Sequence, residues 1–341
     1  MPKEHKMKSV FPLFRFTVLS AVLFSLISPN PAFAAKKNYE YYVVGNSSNV
    51  NTTTQAGAVL MGGGTDVDAA FQWMINKSGG GDFVVIRATG TDAYNPYIYS
   101  LGTVDSVETV IITSRAGASD PFVLDKINNA DALFIAGGDQ ADYVNDWKGT
   151  PVEDAIHNLI ARNVPIGGTS AGLAILGEFA FSAVNGTVDS PTALKNPYGR
   201  RIALENDFLS VPYLDNLITD SHFVTRDRMG RLATFLARIV NDGWAAQAKG
   251  LGIDEETAVV VEGNGSASIL GNGAAYFLQT PGMPEVCLPK TDLVYRNISV
   301  YRISGSATFN FVTWTGSGGT GYTITAENST VTSSQPGGSI Y

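Results

Sequence analysis

The chain has 341 residues, of which 44% are hydrophobic and 16% are charged, and its formal net charge is −8 at pH 7. This acidic balance argues against a nucleic-acid partner and against binding to anionic membranes. The single cysteine, Cys287, excludes an internal disulfide bond, and one cysteine with three histidines has no zinc-ligand spacing. We therefore expect neither a metal ion nor another cofactor.

The N-terminal segment has the pattern of a signal peptide. A basic region precedes the apolar residues 16–27, and a small-residue site follows at residues 32–34. A membrane anchor is the alternative, but the apolar run is short and Pro29 and Pro31 break it, which favours a cleaved leader. We predict that residues 1–34 are cleaved and that the mature protein is secreted, to the periplasm or the medium.

Short apolar, β-rich segments alternate with helical patterns through the next part of the chain. The predicted strands are residues 41–44, 58–61, 82–87, 109–112, 132–136 and 164–166. Such strands with helices between them are typical of a parallel sheet that is covered on both faces. We predict an α/β catalytic domain over residues 35–280, with the active site at the carboxyl ends of its strands.

Two glycine-rich loops follow predicted strands. Gly62-Gly63-Gly64 lacks the G-x-G-x-x-G spacing of a dinucleotide-binding loop, so nucleotide binding is not favoured. Gly138 lies in the second loop and is a candidate donor of one N–H to an oxyanion, although an ordinary tight turn would have the same sequence.

A G-x-S-x-G motif has Ser170 at its centre. The apolar residues 164–166 precede this motif, and the apolar residues 173–176 follow it. A strand that turns sharply into a helix would hold the Ser170 hydroxyl above the sheet edge and would direct the Ala171 N–H at an oxyanion. Ser170 is therefore the candidate nucleophile.

Only one histidine is placed to activate this serine, whose hydroxyl needs a base to take its proton. His5 lies in the predicted leader, and His157 lies on a predicted helix that leads away from the site, as a surface or hydrogen-bonded histidine. His222 follows the apolar run 217–219 and precedes a long predicted helix. By elimination, His222 is the candidate base.

The acid that would orient this histidine is expected in residues 252–256. Asp254, Glu255 and Glu256 stand side by side before a predicted strand, and composition does not separate them. The resulting order Ser-His-acid differs from the Ser-acid-His order of α/β-hydrolases. Four aspartates between the serine and the histidine are alternatives: Asp189, Asp207, Asp215 and Asp220.

Basic residues follow the candidate base at the start of the long predicted helix. Apolar residues at helical spacing predict its buried stripe: Met229, Leu232, Phe235, Leu236 and Ile239. Arg228 and Arg231 fall on or beside this stripe, where a guanidinium needs an anionic partner. That partner is either a structural carboxylate, such as Asp220 or Asp227, or a carboxylate of the substrate.

The last part of the chain changes to a β pattern. Asn264-Gly265 between two apolar runs predicts a hairpin, and further strand-like segments extend to about residue 324. Three prolines mark a boundary near residue 281. We predict a β-rich extension over residues 281–341 that ends in a loose tail from about residue 333.

Four segments of the chain together resemble cyanophycinase and its secreted relatives, which are serine peptidases related to aspartyl dipeptidase. These segments are FIAGGDQ at 134–140, GGTSAG at 167–172, DSHF at 220–223 and GIDE at 252–255. The resemblance covers roughly residues 41–278. It implies a flavodoxin-like α/β fold with a mostly parallel sheet, shared with class I glutamine amidotransferases.

The resemblance also implies a role for individual residues. It makes Ser170 the nucleophile, His222 the base and Glu255 the orienting acid. It places the following residues in the substrate pocket: Gln140, Asp220, Ser221, Arg226, Arg228 and Arg231. Ser221 stands where the family commonly has glutamine, which would make the pocket roomier, and the segment around residues 241–249 is longer than expected.

The residues and the resemblance together predict a secreted serine exopeptidase that hydrolyses cyanophycin to β-Asp-Arg dipeptides through an acyl-enzyme intermediate. Its partners would be cyanophycin or aspartyl peptides, with no nucleic acid and no membrane, and a homodimer is one option for its assembly. An alternative enzyme is a dipeptidase for short aspartyl or isoaspartyl peptides. An alternative of another class is a secreted binding protein that keeps the fold without the catalysis.

Overall fold

Strands dominate the computed structural model, which describes residues 38–341 together with Pro2, Lys8 and Ser9. The predicted leader, residues 1–34, lies outside the described residues except at those three positions. Within the described part of the chain, no helix is both long and apolar enough to cross a membrane.

The elements are numbered in chain order. The helices are α1 Asp68–Lys77, α2 Tyr94–Leu101, α3 Pro121–Asn128, α4 Gln140–Trp147, α5 Pro151–Ala161, α6 Ala171–Ala174, α7 Ser190–Lys195 and α8 Met229–Asn241, with 3-10 turns at Gly117–Ser119 and Pro336–Gly338. The strands are β1 Tyr39–Gly45, β2 Gly57–Met61, β3 Asp82–Arg87, β4 Ser106–Ile112, β5 Ala132–Ile135, β6 Ile166–Thr169, β7 Phe179–Phe181, β8 Leu204–Asn206, β9 Leu217–Asp220, β10 Lys249–Ile253, β11 Thr257–Glu262, β12 Ser266–Gly271, β13 Ala274–Gln279, β14 Tyr295–Ser304, β15 Thr308–Asn310, β16 Thr315–Ser317, β17 Thr320–Glu327 and β18 Thr330–Ser333.

The first sheet has the strand order β1-β4-β3-β5-β6-β2-β11-β12-β15-β16. Its central strands β4, β3, β5, β6 and β2 are parallel to one another, and antiparallel strands flank them on both sides. The order β4-β3-β5-β6 matches the 2-1-3-4 part of a flavodoxin-like sheet. The predicted α/β class is therefore confirmed, with the parallel strands in the middle of the sheet.

Both faces of the parallel region are packed. Along β3, Val84 and Ile86 belong to a core that includes residues of α3 and α5, whereas Phe83 and Val85 belong to a core that includes residues of α1 and α2. Alternate side chains of a strand point to opposite faces. The continuous apolar run of β3 is therefore explained by cover on both sides.

The second sheet has the strand order β18-β17-β14-β13-β10-β9-β7-β8. Strands β7, β9 and β10 are parallel, and the remaining neighbours are antiparallel. Helix α8 packs in the core of this sheet, and all five residues of its predicted apolar stripe are buried.

The strands after residue 281 extend both sheets. The predicted hairpin is confirmed, because β11 and β12 pair on either side of Asn264 and Gly265. β15 and β16 continue the first sheet from β12, while β14, β17 and β18 continue the second from β13. Residues 38–341 belong to one compact unit, and a domain boundary near residue 280 stays a prediction.

The C-terminal residue is held against the body of the protein. The ring of Tyr341 lies 5.9 Å from that of Phe223 and 5.7 Å from that of Tyr276. Its hydroxyl accepts the N–H of Met229 at 3.0 Å and donates to Asp227 at 2.8 Å. The expectation of a loose tail is therefore wrong at this end of the chain, because the tyrosine ring buries apolar surface in an aromatic cluster.

Candidate functional site

Ser170 lies at the turn from β6 into α6. The sequence predicts a strand from Val164, but β6 begins at Ile166, because Pro165 has no N–H to donate to a neighbouring strand. Ser170 has φ 53° and ψ −111°, a strained conformation for a residue with a side chain. The N–H of Ser170 donates to the carbonyl of Met61 at 3.1 Å. The predicted strand-turn-helix setting of the motif is confirmed.

His222 and Glu255 form a chain of hydrogen bonds with Ser170. Ser170 Oγ lies 2.7 Å from His222 Nε2, and His222 Nδ1 lies 2.5 Å from Glu255 Oε1. Ser170 follows β6 of the first sheet, whereas His222 follows β9 and Glu255 follows β10 of the second sheet. The three side chains therefore meet where the strand ends of the two sheets come together.

The surroundings of His222 keep its imidazole neutral at neutral pH. Burial lowers the pKa of His222 below its ordinary value of 6.5, and this effect outweighs the opposing hydrogen bond with Glu255. The positive charges of Arg226 and Arg228 lower the pKa further. The bond to His222 in turn lowers the pKa of the Glu255 carboxyl. With Nδ1–H donating to this carboxylate, Nε2 is left to accept the proton of Ser170.

The neighbouring acids face away from the histidine. Asp254 accepts the backbone N–H of Val224 at 3.2 Å and that of Ala274 at 3.1 Å, and burial raises the pKa of its carboxyl. Glu256 is exposed. Asp254 thus ties the backbone just after His222 to the strands beside it. This anchoring role was not predicted, since one acid in a row of three carries no sequence signal for it.

The other histidines and aspartates named from the sequence have separate environments. His157 Nε2 accepts the N–H of Ser210 at 3.1 Å, so the expectation of a hydrogen-bonded helix histidine is confirmed. His5 lies outside the described residues. Asp189 caps α7 by accepting the N–H of Thr192 at 2.8 Å.

A cavity of about 330 Å³ opens beside the serine. Gly138 and Ala171, the candidate oxyanion donors, both line this cavity together with Ser170. Gln140 also lines it and donates from Nε2 to the carbonyl of Phe181 at 3.2 Å. The structure brings these predicted residues to one place, and their chemical roles stay predictions.

The three predicted arginines do not share one environment. Arg231 is only 3% exposed and donates to both carboxylate oxygens of Asp220, at 2.8 Å from Nε and 2.5 Å from Nη2. Arg228 donates from Nη1 to Asp220 at 3.2 Å and to the carbonyl of Ser221 at 2.8 Å. Arg226 is exposed on the cavity wall. Of the partners considered from the sequence, the structure therefore shows the structural carboxylate Asp220.

This arrangement leaves positive charge in excess around the cavity. One buried carboxylate, Asp220, faces two guanidinium groups, and Arg226 adds a third on the surface. Burial lowers the pKa of Arg228 to about 10, so this side chain is still protonated at neutral pH. An anionic group in the cavity would therefore be attracted. Among the described residues, no cluster of three metal-ligating side chains is present.

The α/β fold and the Ser-His-Glu chain together have the arrangement of a serine hydrolase site. Residues 101–269, which include all three of these side chains, match the model of peptidase family S51. This part of the chain is therefore similar to that family. The resemblance expected from the sequence motifs is confirmed by this match and by similarity to cyanophycinases.

The chain is similar to several cyanophycinases. It is 27% identical over 172 residues to that of Synechococcus elongatus, a match that covers 50% of this chain and 48% of the relative. It is 28% identical over 214 residues to that of Geminocystis herdmanii, covering 58% of this chain and 73% of the relative. The chain thus spans about half the length of the first of these relatives. The crystal structure of a peptidase from an acI-B1 actinobacterium superposes with a TM-score of 0.48 at 16% identity, covering 66% of this chain and 91% of that one.

Proposed function

We propose that this protein is a secreted serine exopeptidase that hydrolyses cyanophycin, a poly-aspartate with arginine on its side chains, to β-Asp-Arg dipeptides. The observation that carries the proposal is the hydrogen-bonded chain Ser170–His222–Glu255 beside a cavity with excess positive charge. The similarity to cyanophycinases supports the same substrate class.

In the first half of the reaction, Ser170 Oγ attacks the carbonyl carbon of the peptide bond. His222 Nε2, at 2.7 Å, takes the hydroxyl proton as the C–O bond forms. The Glu255 carboxylate stabilises the resulting imidazolium through Nδ1. The N–H groups of Ala171 and Gly138 would stabilise the negative charge on the carbonyl oxygen.

The first half ends when the C–N bond of the tetrahedral intermediate breaks, the imidazolium gives its proton to the leaving amine, and an acyl-enzyme ester remains on Ser170. In the second half, a water molecule attacks this ester while His222 takes a proton from the water. Collapse of the second tetrahedral intermediate releases the carboxylic acid product and restores the Ser170 hydroxyl. Each proton transfer uses the same imidazole nitrogen, so a single well-oriented histidine serves both halves.

The charges around the cavity complement a zwitterionic β-Asp-Arg unit. Arg226 is exposed and would attract the aspartyl carboxylate of the substrate. Arg228 and Arg231 would attract it as well, because their two positive charges share the single negative charge of Asp220. Asp139 lines the same cavity and is exposed, so it offers a carboxylate to the substrate guanidinium. Both halves of the repeating unit would then meet an opposite charge.

A dipeptidase for short aspartyl or isoaspartyl peptides is the second candidate. The cavity volume of about 330 Å³ favours a small ligand, and a free aspartyl carboxylate would meet the same arginines. A secreted binding protein without catalysis is disfavoured, because binding alone would not require the aligned hydroxyl, imidazole and carboxylate.

Turnover of the purified protein on cyanophycin and on Asp-X and isoAsp-X dipeptides, at equal concentrations of scissile bonds, separates these candidates. We expect faster release of β-Asp-Arg from the polymer, with no turnover by Ser170→Ala. A preference for dipeptides would move the proposal to the second candidate, and a preference for neutral peptides would reject both. Secretion is tested by N-terminal sequencing of the protein recovered from outside the cytoplasm, which should begin after Ala34.

A further inference from the structure

Three consecutive glycines, Gly62, Gly63 and Gly64, follow β2 and have no role in the proposed reaction. We propose that this segment, here called the glycine segment, is a positioning element that holds the nucleophile, which follows a strand of the first sheet, in register with the base and the acid. The inference rests on the proposed catalytic roles of Ser170, His222 and Glu255. None of its residues needs to contact the substrate.

Backbone hydrogen bonds connect the end of β2 to every catalytic segment. Three successive carbonyl groups each accept one N–H, from the nucleophile, from the base and from the residue after the acid. The bonds are Ser170 N–H to Met61 O at 3.1 Å, His222 N–H to Gly62 O at 2.7 Å and Glu256 N–H to Gly63 O at 2.9 Å. A single short stretch of chain therefore sets the relative positions of all three segments.

The side chains of the base and the acid pack directly on the glycine segment. A Cβ atom on Gly63 would lie 2.5 Å from His222 Cε1 and 2.6 Å from Nε2. A Cβ on Gly64 would lie 3.0 Å from the Cβ of Glu255. Contacts of 2.5 Å are far inside the van der Waals separation of carbon atoms. Glycine at position 63 is therefore what allows the imidazole to lie where it reaches the serine.

Backbone conformation independently favours glycine at positions 63 and 64. Gly63 has φ +94° and Gly64 has φ +75°, in the region that favours glycine over residues with a side chain. At position 62 the obstacle is different, because a Cβ would overlap the carbonyl oxygen of Asp254. The segment thus approaches the acid-bearing loop more closely than any chain with side chains could.

The location of the site makes such a support necessary. Ser170 follows a strand of the first sheet, and His222 follows a strand of the second. Glu255 lies in the turn between β10 of the second sheet and β11 of the first, so no ladder of one sheet aligns the three side chains. β2 pairs with β6, which leads to the nucleophile, and with β11, which follows the acid. A misplacement of about 1 Å can cost about 10²-fold in rate. The glycine segment therefore acts on catalysis through His222.

Gly63→Ala tests the inference, with Gly243→Ala as its matched control. Gly243 also has a positive φ of 77°, and a Cβ there would meet nothing within 4 Å, so the control carries the backbone strain without the contact with His222. For Gly63→Ala we expect kcat on cyanophycin to fall by about 10²-fold with KM within about threefold of the wild type. The control should keep kcat within about threefold.

Two further readouts do not depend on the substrate. The rate at which a small fluorophosphonate labels Ser170 should fall in parallel with kcat in Gly63→Ala and stay unchanged in the control. The pKa of His222, followed by NMR titration, should move toward its ordinary value, because a displaced ring is less buried. Equal labelling rates in Gly63→Ala and Gly243→Ala would overturn the inference.

A folding defect in the variant can be distinguished from failure of the proposed function. If Gly63→Ala does not fold, Gly64→Asn replaces it, since asparagine tolerates positive φ and its Cβ faces Glu255 instead. In the wild type, the N–H groups of His222 and Glu256 should exchange slowly with solvent, and exchange at the rate of an exposed loop would reject the inference without any variant. If the wild type labels with fluorophosphonate but leaves cyanophycin intact, the substrate proposal fails while the positioning role stands.

Discussion

Replacing Glu255 with glutamine is the sharpest test of how His222 is oriented. Glu255 Oε1 accepts a hydrogen bond from His222 Nδ1 at 2.5 Å. Glutamine has the same shape but no charge, and its amide N–H can turn toward Nδ1. An imidazole that accepts at Nδ1 carries its proton on Nε2, and that tautomer cannot take the proton of Ser170.

The expected loss follows from charge and exposure. A carboxylate and an imidazolium about 4 Å apart attract each other by about 4 kcal/mol at an effective dielectric constant of about 20. The side chain of Glu255 is 30% exposed, so solvent screens part of this attraction. Halving it leaves about 2 kcal/mol, or roughly 30-fold in rate, and a tautomer penalty of about 1.4 kcal/mol adds about tenfold. We therefore expect kcat to fall by about 300-fold.

The assay is the pH dependence of kcat for Glu255→Gln beside Asp254→Asn and Glu256→Gln. Because the Glu255 bond raises the pKa of His222, its loss should move the acid limb to lower pH, so that raising the pH does not restore the rate. Asp254→Asn should mainly lower the melting temperature, since this carboxylate holds two backbone N–H groups. Glu256→Gln should be nearly silent. If Glu255→Gln is the mildest of the three, the orientation argument is wrong.

The remaining predictions concern the nucleophile, the base and the arginines. Ser170→Ala should lower kcat by at least about 10³-fold without changing the melting temperature, and a fluorophosphonate adduct on any other residue, located by mass spectrometry, would contradict the assignment. The acid limb of kcat/KM should lie below pH 6.5, because burial lowers the pKa of His222. Arg226→Gln should shift this limb to higher pH, because it removes a positive charge that lowers the pKa of His222. An unmoved limb would show that Arg226 does not act on the base. Arg231→Gln should remove a buried partner of Asp220 and reduce the free energy of unfolding by about 3 kcal/mol or more. Urea denaturation measures this change, and an unchanged midpoint would show that the ion pair contributes little to stability.

Local patterns in the sequence predict much of the candidate site. The G-x-S-x-G motif between two apolar segments places Ser170 on a strand-to-helix turn, and the structure has that turn with φ 53°. Elimination among three histidines leaves His222, and the structure brings it within 2.7 Å of the serine. These predictions hold because a sharp turn is set by its own few residues, and because a residue type that occurs only three times leaves few candidates.

Where several equivalent residues compete, the sequence leaves the choice open. Asp254, Glu255 and Glu256 are neighbours of like chemistry, and only the path of the chain decides which one reaches His222. Glu256 has φ +54°, so the chain turns at this point, and Asp254 is engaged by two backbone N–H groups. The resemblance selects Glu255, and the geometry agrees with that choice.

The arginines show the same limit for charge. Helical spacing predicts that Arg228 and Arg231 need an anionic partner, but periodicity cannot say whether the protein or the substrate supplies it. In the folded chain Asp220 lies at the end of β9, directly beside the start of α8, and takes both guanidinium groups. That leaves Arg226 as the arginine with the freest side chain at the cavity.

The sequence by itself determines the α/β class, the elbow around Ser170, the hairpin at Asn264-Gly265 and the apolar stripe of α8, because each depends on residues within a few positions of one another. Only the tertiary structure decides that Ser170 and His222 follow strands of different sheets, and that the carbonyl groups of residues 61–63 connect the segments around Ser170, His222 and Glu255. The order of strands, and the place where the strand ends of the two sheets come together, are set by the burial of whole sheet faces. Strand order therefore depends on contacts between distant segments, and the local periodicity of the sequence carries no information about those contacts.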